Sequence, residues 1–205
     1  MQIVHDHNYI RVIDQVLTPE FCSQLRENFE LSHRHHTHRT STHVALTELD
    51  LYSSRNPGRG LSELQRLQKT RPYDWTKDCD LLIDLIMSLA NDYLTHWGYE
   101  QGLRLTPELV ALEGIRIKCY RPNQQDHFGL HVDVAHAASS TRYLAFLFYL
   151  NDSDAGTEFP REHYIVAAKE GRVVLFPPTW CYPHQGMMPQ DGGSKYIMSS
   201  YLLYT

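Results

Sequence analysis

Residues 131–152 read HVDVAHAASSTRYLAFLFYLND, and three shorter stretches complete the passage that decides the fold: AGTEFP at 155–160, EGRVVLFPPTWCYPHQG at 170–186 and GGSKYIMSSYLLY at 192–204. Alternation sorts the strand-like runs into two rows, because successive side chains of a strand point to opposite faces. In 143–150, Leu144, Phe146, Phe148 and Leu150 form an apolar row against Tyr143, Ala145, Leu147 and Tyr149. In 195–204, Lys195, Ile197, Ser199 and Tyr201 share a face. Just upstream, Ile115, Ile117 and Cys119 point one way while Arg116, Lys118 and Tyr120 point the other. A sheet with one greasy face and one mixed polar face predicts a barrel-like fold whose interior holds a polar ligand.

The same passage contains a His-x-Asp pair, His131 and Asp133, and a later His184 that follows the run RVVLF and the PPTWCYP turn. Residues i and i+2 of a strand project the same way, so the pair can bind one ion while Val132 turns away. Two imidazoles and one carboxylate are the ligand set of a non-haem Fe(II) site with open positions. With thirteen His and thirteen Asp in 205 residues, His-x-Asp is expected by chance about 0.8 times. The metal reading therefore rests on the neighbouring elements.

Working outward, the chain before residue 112 carries the helices. Thr18-Pro19-Glu20 opens the first: Thr caps free amides, Pro suits the first turn, and Glu complements the dipole. Phe21, Cys22, Leu25 and Phe29 make its stripe, and residues 8–17 before it suggest an edge strand. A longer helix spans 76–96, where Cys79, Leu82, Ile83, Ile86, Ala90, Tyr93, Leu94 and Trp97 recur at helical spacing and Gly98 supplies the stop. The segment SHRHHTHRTSTH (32–43) is rich in histidine without ligand spacing and reads as a polar loop. Residues 44–52 form a strand, 53–60 a loop and 61–69 a short basic helix, together placed to act as a substrate flap. Helices first and strands later is an α+β order, with helices on one face of a folded sheet.

Bulk properties set the outer limits. At 205 residues the chain makes one domain, a support and flap region over 1–111 and a barrel core over 112–205. A net charge of −5 and a pI near 6.2 argue against nucleic acid as a partner, although residues 31–75 hold seven Lys/Arg against four Asp/Glu. Cys22, Cys79, Cys119 and Cys181 have neither zinc-ribbon nor disulfide-framework spacing. The opening MQIVHDHNYI is not a signal peptide, and no apolar run reaches membrane-spanning length, so a reduced cytoplasmic protein without a membrane partner is expected.

With these elements in order, the sequence resembles the Fe(II)/2-oxoglutarate-dependent dioxygenases, and within them the prolyl 4-hydroxylase-like branch. His131-x-Asp133 and His184 match that family's iron ligands. Cys119-Tyr120, a loop and Phe128 resemble its lead-in strand, whose Tyr hydrogen-bonds the cosubstrate. Arg142 and the later LFYLND run resemble its R…YLN element, whose Tyr, here Tyr149, reaches the far carboxylate of 2-oxoglutarate. AGTEFP is similar to its GGxTxFP turn, with Asp154 and Ala155 in place of two glycines. Gly193-Ser194-Lys195 resembles the G-x-K element whose Lys pairs with the same carboxylate.

The resemblance implies a double-stranded β-helix, a jelly-roll or cupin-like barrel with N-terminal helices packed on one sheet. It implies catalytic residues His131, Asp133 and His184 holding Fe(II), and 2-oxoglutarate bound by Tyr120, Tyr149 and Lys195. Hydroxylation of a C–H bond with O2 would release succinate and CO2, with ascorbate admitted as a reductant. The substrate implied is a prolyl residue in a protein or peptide, with a small free molecule such as an amino acid as the alternative. Arg142, Arg116, Trp180 and Tyr201 are candidates for the substrate mouth. A non-catalytic barrel-fold binding module is the rival of another class, disfavoured because the ligand trio is intact. Asp133 argues against a halogenase, which would need a small residue there, and Lys195 against a nucleic-acid demethylase, which would use Arg.

Overall fold

A computed structural model describes residues 1–32, 36–39, 44–51, 74–106, 110–122, 125–190 and 193–204. The histidines at 33, 35 and 43, the loop at 53–60 and the basic helix near 61–69 lie outside the described residues. Two α-helices lie within them. Helix α1 runs Pro19–Leu31; Thr18 sits in extended conformation before it and its hydroxyl accepts from the Phe21 amide at 3.2 Å. Cys22, Leu25 and Phe29 are buried, while Phe21 stays half-buried. Helix α2 runs Thr76–Trp97 and ends on Gly98, whose amide donates to the Leu94 carbonyl. A Cβ at Gly98 would meet that carbonyl oxygen at 2.2 Å, so a side chain there would break the stop.

The strands are β1 (Gln2–His7), β2 (Ile10–Asp14), β3 (His36–Arg39), β4 (Val44–Leu51), β5 (Tyr99–Glu100), β6 (Leu103–Arg104), β7 (Val110–Leu112), β8 (Ile115–Tyr120), β9 (His127–His131), β10 (Arg142–Tyr149), β11 (Ser153–Phe159), β12 (Tyr164–Ala168), β13 (Val173–Phe176), β14 (His184–Gly186) and β15 (Lys195–Tyr204). The main sheet runs β1-β2-β13-β10-β15-β8-β4-β9-β14-β11-β12. Strand β4 pairs with β8 through 47–51 and with β9 through 44–45, so it carries the sheet around the fold. The result is a jelly-roll double-stranded β-helix, mostly sheet, with the two helices on one face.

The alternation read from the sequence places two cores. One row of the sheet (Ile115, Ile117, Cys119, Leu144, Phe146, Phe148, Leu150, Met198) packs with α1 and α2 into a helix-facing core. The other contributes Tyr120, Ala145, Tyr149, Phe159, Val166, Val174, Phe176 and Ile197 to a second core inside the barrel. Complete burial of such side chains stabilises by about 1.5–3 kcal/mol each before chain entropy is counted.

Two expectations about order need correction. The segment 8–17 is not an edge strand: β2 is buried at all five positions and lies between β1 and β13. The first half of the chain also supplies four strands to the main sheet, so helices do not strictly precede strands. All four cysteines are free thiols, three of them buried. Among the described residues no helix is long and apolar enough to cross a membrane.

Candidate active site

Strands β9 and β14 are neighbours, with His131 opposite His184 in the ladder. That register is what joins two histidines 53 residues apart. Their ring centroids lie 4.3 Å apart. Asp133 completes the group, its carboxylate oxygens 3.4 Å from His131 Nε2 and 3.6 Å from His184 Nε2. Asp133 is not a strand residue as the i, i+2 argument assumed: β9 ends at His131, and Asp133 lies in the bend beyond. The three ligating atoms lie within 4.8 Å of one another, the geometry of a group that can hold a metal ion.

The tautomers follow from hydrogen bonding. His131 Nδ1 faces the Gly129 carbonyl at 2.8 Å, and His184 Nδ1 faces the Tyr182 carbonyl at 3.1 Å. A carbonyl only accepts, so each Nδ1 carries the proton and each Nε2 presents a lone pair to the shared centre. Burial lowers the His184 pKa and keeps its ring neutral, and Phe159 and Phe176 pack against it. Burial opposes charge on Asp133 too, but its carboxyl is held well below the usual carboxylate range, with Lys118 as the cation that faces it while both imidazoles are neutral. Two neutral imidazoles and an ionised carboxylate fit a ferrous ion with open positions.

The cavity beside this group is lined by Tyr120, Thr157 and Lys195 at one side and by Lys118, Ser199 and Tyr201 along β8 and β15. Lys195 is 1% exposed. Its Nζ donates to the Met187 carbonyl at 2.7 Å and lies 4.4 Å from the centre of the Tyr120 ring. Burial pulls its pKa down to about 7, with Asp154 opposing. Among the described residues no carboxylate lies within ion-pair distance of this ammonium. A buried cation resting on carbonyls and an aromatic face is the complement of an incoming carboxylate. Burial raises the Tyr120 pKa, so its hydroxyl remains a donor.

Tyr149 takes a different position from the one expected. It does not line the cavity; it is completely buried and its hydroxyl donates to Thr157 Oγ1 at 2.8 Å. Thr157, which does line the cavity, is left with its own proton to donate inward.

Of the four mouth candidates, only Tyr201 lines the cavity. Arg142 stacks over it at 4.0 Å and is paired with Glu113 through Nε at 2.6 Å and through Nη2. Its Nη1 reaches the Asp133 carbonyl at 3.4 Å, so Arg142 braces the metal-binding bend from behind. Arg116 holds Asp50 at 2.6 Å and Glu48 at 3.5 Å, and does not line the cavity. Trp180 stands outside it, 72% exposed, under the Arg161 guanidinium. Sequence reasoning gave Lys118 no role, although it shares the polar row of β8 with Tyr120.

Comparison with known proteins agrees with this geometry. The family model described as the 2OG-Fe(II) oxygenase superfamily matches residues 115–203. No curated protein matches the chain in sequence. Among solved structures, the viral collagen prolyl hydroxylase of Paramecium Bursaria Chlorella virus-1, in its 2OG complex, superposes with a TM-score of 0.65 at 16% identity, over 98% of this chain and 99% of that one. A Pseudomonas putida prolyl-4-hydroxylase gives 0.61 at 13% identity, over 97% and 94% of the two chains. A Trichoplax adhaerens prolyl hydroxylase, solved with a hypoxia inducible factor oxygen degradation domain peptide fragment, gives 0.61 at 12%, over 96% and 84%. Enzymes of this superfamily use Fe(II), 2-oxoglutarate and O2. The β8–β15 region thus matches the 2OG-Fe(II) oxygenase superfamily over residues 115–203, and the chain is built on the prolyl-hydroxylase fold.

Proposed function

We propose that this oxygenase hydroxylates a prolyl residue of a protein or peptide, with His131, Asp133 and His184 as its iron ligands. The observation that carries the ligand assignment is the pair of Nδ1–carbonyl hydrogen bonds, which aim both Nε2 atoms at the Asp133 carboxylate. The bound metal supplies the oxidising chemistry, in which 2-oxoglutarate becomes succinate and CO2 as one oxygen atom enters the substrate.

The chain's own residues bind and orient. Lys195 receives the distal carboxylate of 2-oxoglutarate, Thr157 donates to it, and Tyr149 positions Thr157 through its hydroxyl. The Tyr120 hydroxyl serves the same cosubstrate from β8. Phe128, Phe159 and Phe176 pack around the two imidazoles and keep bulk water from them. Arg142, fixed by Glu113, holds the Asp133 bend in place.

Support for a peptide substrate comes from outside the cavity. Trp180 and Leu130 are exposed apolar side chains on the segments that carry His184 and His131. Those segments are tied by the Val134 amide and the Pro178 carbonyl. Trp180, on the turn that leads to His184, offers an extended chain an exposed ring to pack against. The neighbours of like fold are prolyl hydroxylases, one with a peptide fragment in its crystal.

The test is an oxygen-free titration followed by a substrate screen. Fe(II) and 2-oxoglutarate should produce a weak visible charge-transfer band that His131→Ala lacks, and proline-containing peptides should stimulate succinate release in air. A band in the variant would remove His131 from the ligand set. Stimulation by oligonucleotides alone would overturn the prolyl assignment.

A further inference from the structure

Lys118 is a cation to which the chemistry above assigns no ligand. It lies on the polar row of β8, between Arg116 and Tyr120, and lines the same cavity as the metal-binding group and Lys195. In the β8–β15 ladder, Tyr120 stands opposite Lys195, Lys118 opposite Ile197 and Arg116 opposite Ser199. Two residues along a strand span about 7 Å, so Lys118 stands one step from the cosubstrate end, toward Tyr201 and the Asp133 bend.

Its neighbours on the row are engaged. Arg116 grips Asp50 and Glu48, and Tyr120 lies under Lys195. The Lys118 ammonium makes no hydrogen bond and no ion pair with any described residue. Its ring contact is Phe128, 5.7 Å from Nζ. Burial opposes its charge most, Glu48 and Asp133 attract it, and Arg116 and Arg142 repel it. Both carboxylates have other work: Glu48 meets Arg116, and Asp133 meets the two imidazoles.

Charge balance in the occupied site sharpens the point. A ferrous ion, the Asp133 carboxylate, a 2-oxoglutarate dianion and the Lys195 ammonium cancel, with both imidazoles neutral. Lys118 then adds a positive charge on the wall of a half-enclosed cavity, where leaving a charge without a partner is costly. It lines the cavity one step along β8 from the Lys195 end, in reach of a substrate that enters beside the cosubstrate.

We propose that Lys118 is a specificity residue that binds a carboxylate carried by the substrate next to the carbon that is hydroxylated. This rests on the oxygenase site as assigned above and narrows the prolyl reading to acidic substrates. The carboxylate belongs either to a free amino acid or to an acidic residue beside the target in a peptide.

Acid and amide pairs test it: L-proline with prolinamide, peptides with Asp or Asn beside Pro, and non-prolyl amino acids with their amides. Each pair is measured by stimulated succinate release and, in oxygen-free enzyme holding Fe(II) and 2-oxoglutarate, by ligand-observed NMR. The wild-type enzyme should favour the acid by about ten-fold or more, as expected for a hydrogen bond to a charged group. Lys118→Met should bring the ratio toward one through KM and the dissociation constant, and Lys118→Arg should retain it. Because the ratio is internal to each variant, a general loss of activity does not imitate the effect. Preference for free proline over the Asp peptide, or the reverse, identifies the source of the carboxylate. An acid preference confined to non-prolyl compounds and lost in Lys118→Met would keep the role of Lys118 and discard the prolyl reading. The inference is overturned if the wild type ignores the charge, if no member of any pair binds, if the preference survives in Lys118→Met, or if that variant is impaired only in affinity for 2-oxoglutarate.

Discussion

Lys195 is the residue whose environment makes the sharpest demand on solution conditions. Burial brings its pKa to about 7, below the ordinary 10.5. Below the lower value both folded and unfolded chains carry the proton, and the cost of burying the charge is present in full. Between the two values the unfolded chain holds a proton that the folded chain has shed, so stability rises with pH. Above 10.5 the cost is gone. Metal-free protein should therefore gain stability from about pH 7 to about pH 9 relative to Lys195→Met, measured as the difference in urea midpoints. A bound carboxylate restores the proton, so affinity for 2-oxoglutarate should weaken by up to about ten-fold per pH unit above pH 7. Equal pH slopes in the two proteins would place Lys195 in contact with water.

Arg116 and Arg142, candidates for the substrate mouth in the sequence, are both held by carboxylates in the fold. Arg116 lies on the inward row of β8 and Arg142 opens β10 near a metal motif, which is what an anion-binding mouth looks like from the chain alone. Their partners Asp50 and Glu113 lie on separate stretches of sequence, and only pairing brings them together. Lys118 is the converse case. It belongs to no motif, and its importance appears only when the neighbouring charges are found engaged.

Among the elements, the β11–β12 pair depends on one glycine. A Cβ on Gly156 would lie 2.3 Å from the Val166 carbonyl oxygen, a backbone atom that cannot swing aside. The Gly156 carbonyl is also within 3.4 Å of Lys195 Nζ. Gly156→Ala should thus separate the two strands, cost about 1–3 kcal/mol of stability and weaken 2-oxoglutarate binding together, read by chemical denaturation and by titration. A stable variant with wild-type affinity would show that the ladder yields there at no cost.

Alternation made β8, β10 and β15 legible, since each is apolar on the helix side and mixed on the barrel side. Helical spacing with a terminal Gly98 made α2 legible to within a residue of its end. Strand β2 was harder, because Ile10–Asp14 is buried on both faces and includes Arg11, so no alternation survives. Asp133 was found by motif but assigned the wrong backbone, since the chain leaves the ladder one residue after His131. Tyr149 occupies the strand position its motif predicts, yet its hydroxyl ends on Thr157, a contact made by a strand eight residues away.

At the scale of the molecule, the first fourteen residues are integral to the barrel. Strand β2 covers the edge of β13, and Arg11, 2% exposed, joins Asp6 of β1 to Asp92 of α2. Tyr93 and Trp97 of α2 donate to the Tyr9 carbonyl and to Asp6. Asp14 receives Lys169 and Arg172 from the opposite end of the chain. These ties support our proposal of a single domain over 1–205, with 1–111 as support for a core at 112–205. A chain starting at residue 15 would expose the β13 edge and strand several buried charges. We expect it to aggregate on size-exclusion chromatography and to lose the cooperative melt seen by circular dichroism. A monomer melting like the full chain would mark the hairpin as an appendage.

The lysine at the bottom of the barrel also ties the enzyme's durability to its supply of fuel. An ammonium that is costly when alone and satisfied by an arriving acid makes 2-oxoglutarate a ligand of the native state and not of the unfolded chain. A concentration one hundred times the dissociation constant adds about 2.7 kcal/mol of stability. Starvation for this ketoacid would then do more than idle the catalyst; it would leave a larger share of molecules open to proteases, so that abundance falls with demand.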